Sequence, residues 1–176
     1  MMKTAFMRGA AVLALVLGGA CGAVAQAPSV KPIDPARFYK GAWLEVARRP
    51  MWITDGCVAG TTSYARGNGP NEILVRDACR KGAEEVALTG AGAIQDPGVN
   101  SRLSVRYNPL LSVDYHIVDV APDYSWFIGT SPTLDNLFIY TRQRPSAARL
   151  QALVARAQAL GYDTSTLEFP WNGPRR

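Results

Sequence analysis

The sequence predicts an all-β protein: an eight-stranded antiparallel up-and-down barrel with one C-terminal α-helix packed on its outside. Three observations lead there. Short runs rich in β-branched and aromatic residues recur from position 43 to position 142, with Gly or Pro signals between most of them. The connections are too short for crossovers, so consecutive strands must be antiparallel. After Pro145 the hydrophobic period changes from two to helical, over one segment only.

The eight runs are 43–47, 57–65, 72–78, 84–94, 102–107, 113–120, 124–130 and 136–142. Between them stand Gly67-Asn68-Gly69-Pro70, Asp96-Pro97-Gly98, Asn108-Pro109, Pro122-Asp123 and Ser131-Pro132, where Gly or Pro stops a ladder or sets a turn angle. Strands joined in this order either leave two bare edges or close, and closure pairs every backbone group. A barrel of this size can hold one small ligand. In the fifth run Leu103, Val105 and Tyr107 alternate with Arg102, Ser104 and Arg106, so the first three should face inward and the interior should be apolar. The helix is expected over 146–160, with Leu150, Leu153, Val154, Ala157 and Leu160 at helical spacing and Gly161 as the stop. Its stripe needs the outer wall, which explains why run 113–120 is apolar on both faces.

At 176 residues, 48% hydrophobic and 19% charged, the chain has the size and composition of one folded domain. Its 16 Gly and 12 Pro are scattered without a short period, which excludes collagen-like architecture. The net charge of +5 is spread along the chain, with no basic run beyond Arg175-Arg176, and this disfavours nucleic-acid binding.

Lys3 and Arg8 precede an uncharged stretch to Ala25, which reads as a signal peptide over 1–25, cut after Ala23-Val24-Ala25, followed by a barrel domain over 26–176. As a membrane span this stretch is short and carries Gly18, Gly19 and Gly22. Release into the periplasm is the expectation. The alternative is an outer-membrane lipoprotein anchored at Cys21, although the leucine of that box, Leu17, stands one place too far upstream. Export leaves Cys57 and Cys79 in an oxidising compartment, and an even pair there suggests a disulfide. A hairpin folded about Asn68, midway between them, would set the two opposite one another.

The inventory of reactive groups is short. His116 is the one histidine, which disfavours a metal site and any mechanism needing two imidazoles. Asp119 and Asp123 read as turn-capping residues. Neither a Gly-x-Ser-x-Gly elbow nor a Gly-rich phosphate loop is present, so no cofactor is expected. Aromatic residues are abundant in the strands: Trp43, Tyr64, Tyr107, Tyr115, Trp126, Phe127, Phe138 and Tyr140. Such a lining suits a hydrocarbon chain, each buried CH₂ being worth about 0.8 kcal/mol; a solid aromatic core is the alternative.

Three separated motifs resemble those of the lipocalins. The stretch Gly41-Ala42-Trp43-Leu44-Glu45-Val46-Ala47-Arg48 resembles the first, in the form found in bacterial outer-membrane lipocalins and apolipoprotein D. Asp119 to Ser125 resembles the second, and Leu137 to Pro145 the third. The resemblance covers roughly residues 33 to 170 and implies that Arg142 packs over Trp43, with Gly41, Trp43 and Arg142 as the structural signature. It also implies a non-enzymatic carrier of fatty acids, lysophospholipids or similar lipids in the cell envelope, without a cofactor. Two departures are Leu44 where Tyr is common and His116 where relatives often place a pocket tryptophan.

The candidate ligand-binding residues are Tyr64, Leu103, Val105, Tyr107, His116, Val118, Trp126, Phe138 and Tyr140. The expected partner is a small hydrophobic ligand; peripheral association with a membrane, and either a monomer or a dimer, are compatible with the sequence. A competing reading is a barrel enzyme acting on a lipid through His116 and a neighbouring Asp.

Overall fold

The computed structural model describes residues 30–171. The signal-peptide and Cys21 readings therefore lie outside the described residues. Eight strands close into an antiparallel barrel in sequence order: β1 Gly41–Arg48, β2 Val58–Arg66, β3 Glu72–Lys81, β4 Glu84–Ile94, β5 Arg102–Asn108, β6 Leu111–Val120, β7 Trp126–Ser131 and β8 Asn136–Thr141. The last closes on the first, Leu44 standing opposite Thr141. Helix α2, Ala147–Ala159, is preceded by Ser146, whose side chain accepts from the Arg149 N–H, and follows the expected bounds closely. A short α1, Pro35–Phe38, carries no amphipathic period and was not legible in the sequence.

Two cores result. One fills the barrel around Phe38, Tyr39, Trp43, Leu103, Val105 and Phe127. The other lies between the outer wall and α2, where Leu150, Leu153 and Ala157 meet Val46, Ala47, Ile128 and Ile139. The second supplies the partner that the apolar stripe of α2 needs.

Bulges decide which residues enter the lumen. In a regular strand residues three apart face opposite sides. The register of β1 against β8 shifts between Glu45 and Ala47, so Val46 and Ala47 both turn toward α2 while Glu45 and Arg48 both point inside. A second shift, between Ile117 and Asp119 in β6, keeps Asp119 on the same outer side as Val118, where it reaches Arg156 of α2. A third lies in β2 between Val58 and Thr61, around Ala59, whose φ is 55°.

That third bulge bears on the disulfide. Cys57 and Cys79 are bonded, with their Cα atoms 5.5 Å apart. They are not directly opposite, because the ladder from Thr61–Ala78 to Arg66–Ile73 centres the hairpin beyond Asn68; the bulge, after which Val58 pairs with Arg80, brings Cys57 one residue nearer to Cys79. The bond ties the β1–β2 connection to the distal part of β3. This matters because the β3–β4 hairpin overhangs the barrel: β4 pairs with β3 along Glu84–Ala93, but with β5 only over Ala91–Ile94.

Candidate functional site

The lumen has three levels. At one end aromatic rings fill it. Phe38 packs against Trp43 and Phe127 at centroid distances of 5.3 and 4.9 Å, and Phe127 stacks on Tyr140 at 4.9 Å. Gly129, opposite Phe138 in the ladder, leaves the space that the Phe138 ring occupies. Arg142 seals this end. Its guanidinium lies 3.5 Å from the Trp43 ring centroid and donates to the carbonyls of Arg37, Phe38, Lys40 and Ala42. The C-terminal end of α1 is thereby clamped to β1 and β8.

The middle level is polar, and here the expectation of an apolar interior fails. Glu45, Arg48 and Asp77 all reach the lumen or its wall, joined by hydroxyls in one hydrogen-bonded chain. Arg48 pairs with Glu45 at 2.6 Å; Tyr140 donates to Glu45 at 3.3 Å; the Thr62 hydroxyl is 3.1 Å from that of Tyr140 and donates to Asp77. Tyr107 also donates to Asp77, and its hydroxyl lies 2.9 Å from that of Tyr115. The alternation of β5 is as expected, with Leu103 and Val105 buried and Tyr107 directed inward. What one strand did not reveal is that β1 and β3 carry carboxylates at inward positions.

Arg48 is 1% exposed and is tied on every side: it also meets Glu168 at 3.0 Å and the carbonyls of Cys57 and Thr54 at 2.8 and 3.2 Å. Its charge is held by Glu45 and Glu168 against the cost of burial. Asp77 has no cation in contact. Burial pushes its pKa above the ordinary carboxylate range, opposed by the bonds from Thr62 and Tyr107. Burial and the nearby Asp77 charge push the Tyr107 and Tyr115 hydroxyls far up, so both stay protonated.

Above this chain, toward the mouth, lies a cavity of about 320 Å³. Its walls combine the polar chain with Met51, Ile53, Val86, Leu88, Val113 and Phe138. Leu88 stands opposite Asp77 in the β3–β4 ladder, and Val86 opposite Cys79, so the overhanging hairpin forms an apolar flap on one side of the mouth. Both remain partly open to solvent, at 40% and 38% exposure. A second void of about 10 Å³ lies deeper, beneath Tyr140 and Phe138.

The expected ligand-binding residues divide accordingly. Tyr107, Phe138 and Tyr140 line the main cavity; Tyr64 and Leu103 border the deeper void; Val105 belongs to the buried barrel core. Val118 and Trp126 are corrected. Tyr115 and Ile117 face the barrel core, so alternation turns Val118 outward, and Trp126 lies under α2, with Arg149 and Arg156 over its ring. His116 is corrected as well: it pairs with Arg102 in the ladder and shares that residue's outer face, although it borders the small void. Burial and the Arg102 charge lower its pKa, against Asp114 and Asp96. Among the described residues no hydrogen bond joins His116 to a carboxylate, and no group of three or more His, Cys, Asp or Glu could hold a metal ion. Reasoning from the sequence missed Glu45, Arg48, Asp77 and Asn136 as cavity residues. Period-two alternation from Ile73 and Val75 to Asp77 was the available signal.

The sequence profile of the lipocalin-like domain matches residues 33–172. The chain belongs to the lipocalin-like family. A protein of Acanthamoeba polyphaga mimivirus named as a lipocalin is 26% identical over 139 residues, covering 73% of this chain and 79% of that one. Among solved structures, insecticyanin from the tobacco hornworm Manduca sexta superposes with a TM-score of 0.61 at 16% identity, over 82% of this chain and 85% of that one. Lobster apocrustacyanin A1 gives 0.59 at 16%, over 77% and 78%. At these identities the structural likeness establishes the lipocalin fold alone.

Proposed function

We propose that this lipocalin is a carrier, not an enzyme, and that it holds one single-chain lipid amphiphile in the mouth cavity. The observation that carries the reading is the cavity itself: about 320 Å³, partly enclosed, apolar toward the mouth and polar at its floor. That volume is at the low end of the roughly 300–1,000 Å³ range of small-molecule sites, so one slender chain fits better than two. The pairing of His116 with Arg102 on the outer face supports the carrier reading over an enzymatic one.

The finer role we propose is export through the segment 1–25 and lipid storage or transport in the cell envelope, by analogy with the bacterial branch that the motifs resemble. Trp52 and Leu110, 77% and 98% exposed at the mouth, support uptake from a membrane surface. Among the described residues no helix is long and apolar enough to cross a membrane.

The test is saturable binding of the fluorescent apolar dye N-phenyl-1-naphthylamine. One equivalent should bind, and Leu88→Trp, which fills the cavity from its partly exposed flap, should weaken binding at least ~10-fold. Absence of saturable binding, or binding indifferent to Leu88→Trp, overturns the reading.

A further inference from the structure

The hydrogens in the polar chain can be counted. Each tyrosine or threonine hydroxyl has one to give, a carboxylate has none, and a guanidinium has five. Tyr107 gives its hydrogen to Asp77, so at the Tyr107–Tyr115 contact Tyr115 must be the donor. Tyr140 donates to Glu45, and Thr62 to Asp77. Thr54 and Thr61 spend theirs on the carbonyls of Met51 and Ala78. Arg48 directs its nitrogens at Glu45, Glu168 and the carbonyls of Cys57 and Thr54. Every hydroxyl hydrogen on the cavity wall is thus committed within the protein, and apart from one Nη1 hydrogen of Arg48 and the Asn136 amide, the side chains named here offer lone pairs.

Two of those acceptors are notable. Asp77 accepts only two bonds, from Thr62 and Tyr107, where a carboxylate has about four acceptor positions, and no cation touches it. Asn136, 4% exposed and lining the same cavity, has a side-chain oxygen without any donor, while its amide nitrogen faces only the Met51 sulfur. A buried acceptor without a donor is destabilising, and a ligand N–H would relieve it. Lys81, exposed at the mouth, is the other cation of the cavity lining besides Arg48.

We propose that the amphiphile this cavity selects has a primary ammonium as its polar end, seated at Asp77 on the cavity floor, with its alkyl chain running out between Phe138 and the Val86–Leu88 flap. The inference rests on the carrier reading above and narrows it. A carboxylate in that position would meet the like charges of Asp77 and Glu45 with no hydroxyl hydrogen to receive. A fatty acid would have to enter tail first, placing its chain end on the carboxylates and its head beside Lys81. The groups that face Asp77 are Thr62 on β2, Leu88 on β4, Tyr107 on β5, Tyr115 on β6, Tyr140 on β8, and Glu45 with Arg48 on β1. Of these only Arg48 is cationic, and it is shared by Glu45 and Glu168.

Displacement of bound N-phenyl-1-naphthylamine by decylamine, decanol and decanoate tests this, since the three share one chain and differ in the head. Decylamine should displace the dye at a concentration at least ~10-fold below decanoate, with decanol between, as expected of one charge-assisted contact. Asp77→Asn should bring the amine-to-acid ratio close to one, while Lys81→Met should leave the amine unchanged. Lowering the pH through the titration of Asp77 should erode the amine's advantage. Decanoate equal to or better than decylamine overturns the proposal, as does a ratio unmoved by Asp77→Asn in protein that still binds dye. If Asp77→Asn does not fold, the wild-type ranking and its pH dependence decide. Failure of the dye itself to bind would instead overturn the carrier reading.

Discussion

Asp77 and Glu45 stand where an apolar barrel would place leucine or valine, and each carries a consequence that single substitutions expose. Because burial raises the Asp77 pKa above its ordinary 3.8, the folded protein binds a proton there at a pH where the unfolded chain does not. Stability should therefore rise as pH falls from neutral toward 3.8 through the folded pKa. Asp77→Asn should flatten that dependence by up to about 1.4 kcal/mol per pH unit, read from urea midpoints at several pH values. Gly60 is the second case. A Cβ there would lie 2.5 Å from the Glu45 Oε2, so Gly60→Ala must displace the carboxylate that holds Arg48 and should cost about 1–3 kcal/mol in urea unfolding. At this scale the sequence was only partly legible. Leu103, Val105 and Tyr107 declare their face by strict alternation, whereas the partners of Asp77 come from β2 and β5 and appear only once the ladder registers are known.

The elements were legible nearly to their ends, because turn residues punctuate them, but their facing was not. The bulges in β1, β2 and β6 each insert one residue, and a one-residue slip exchanges the two faces of all that follows. This is why Val118 and Asp119, adjacent in β6, both face α2, and why Glu45 and Arg48, three apart, form a pair inside the barrel; Val118 was misread through the phase of β6, in which Tyr115 and Ile117 are the inward residues. Two elements carry side-chain ties whose loss can be read out. The overhanging β3–β4 hairpin is held to the β1–β2 connection by Cys57–Cys79, and replacing both cysteines with alanine should lower stability by about 3 kcal/mol and loosen the cavity flap, seen as faster amide exchange along Glu84–Leu88. Helix α1, already packed through Phe38, is also tied by Arg142. Lysine keeps the charge but not the planar fork that serves carbonyls on both sides, so Arg142→Lys should still cost about 2 kcal/mol in urea unfolding.

For the molecule as a whole, eight sequential strands and one amphipathic segment carry enough information to specify a closed barrel with an external helix, and the three motifs carry enough to specify the family. The ligand space was not legible, since a cavity is what side chains from different strands fail to fill. Here the aromatic plug takes the end near Trp43, the carboxylate–tyrosine chain crosses the middle, and the open space is confined to the mouth. The most direct test of this arrangement is a crystal structure of the protein grown with decylamine. The account predicts one elongated feature in the mouth cavity, its polar end within hydrogen-bond distance of Asp77 and its chain against Phe138 and Leu88. A cavity filled only by water, or the molecule bound on the outer groove beside Leu74 and Arg106 instead, would contradict it.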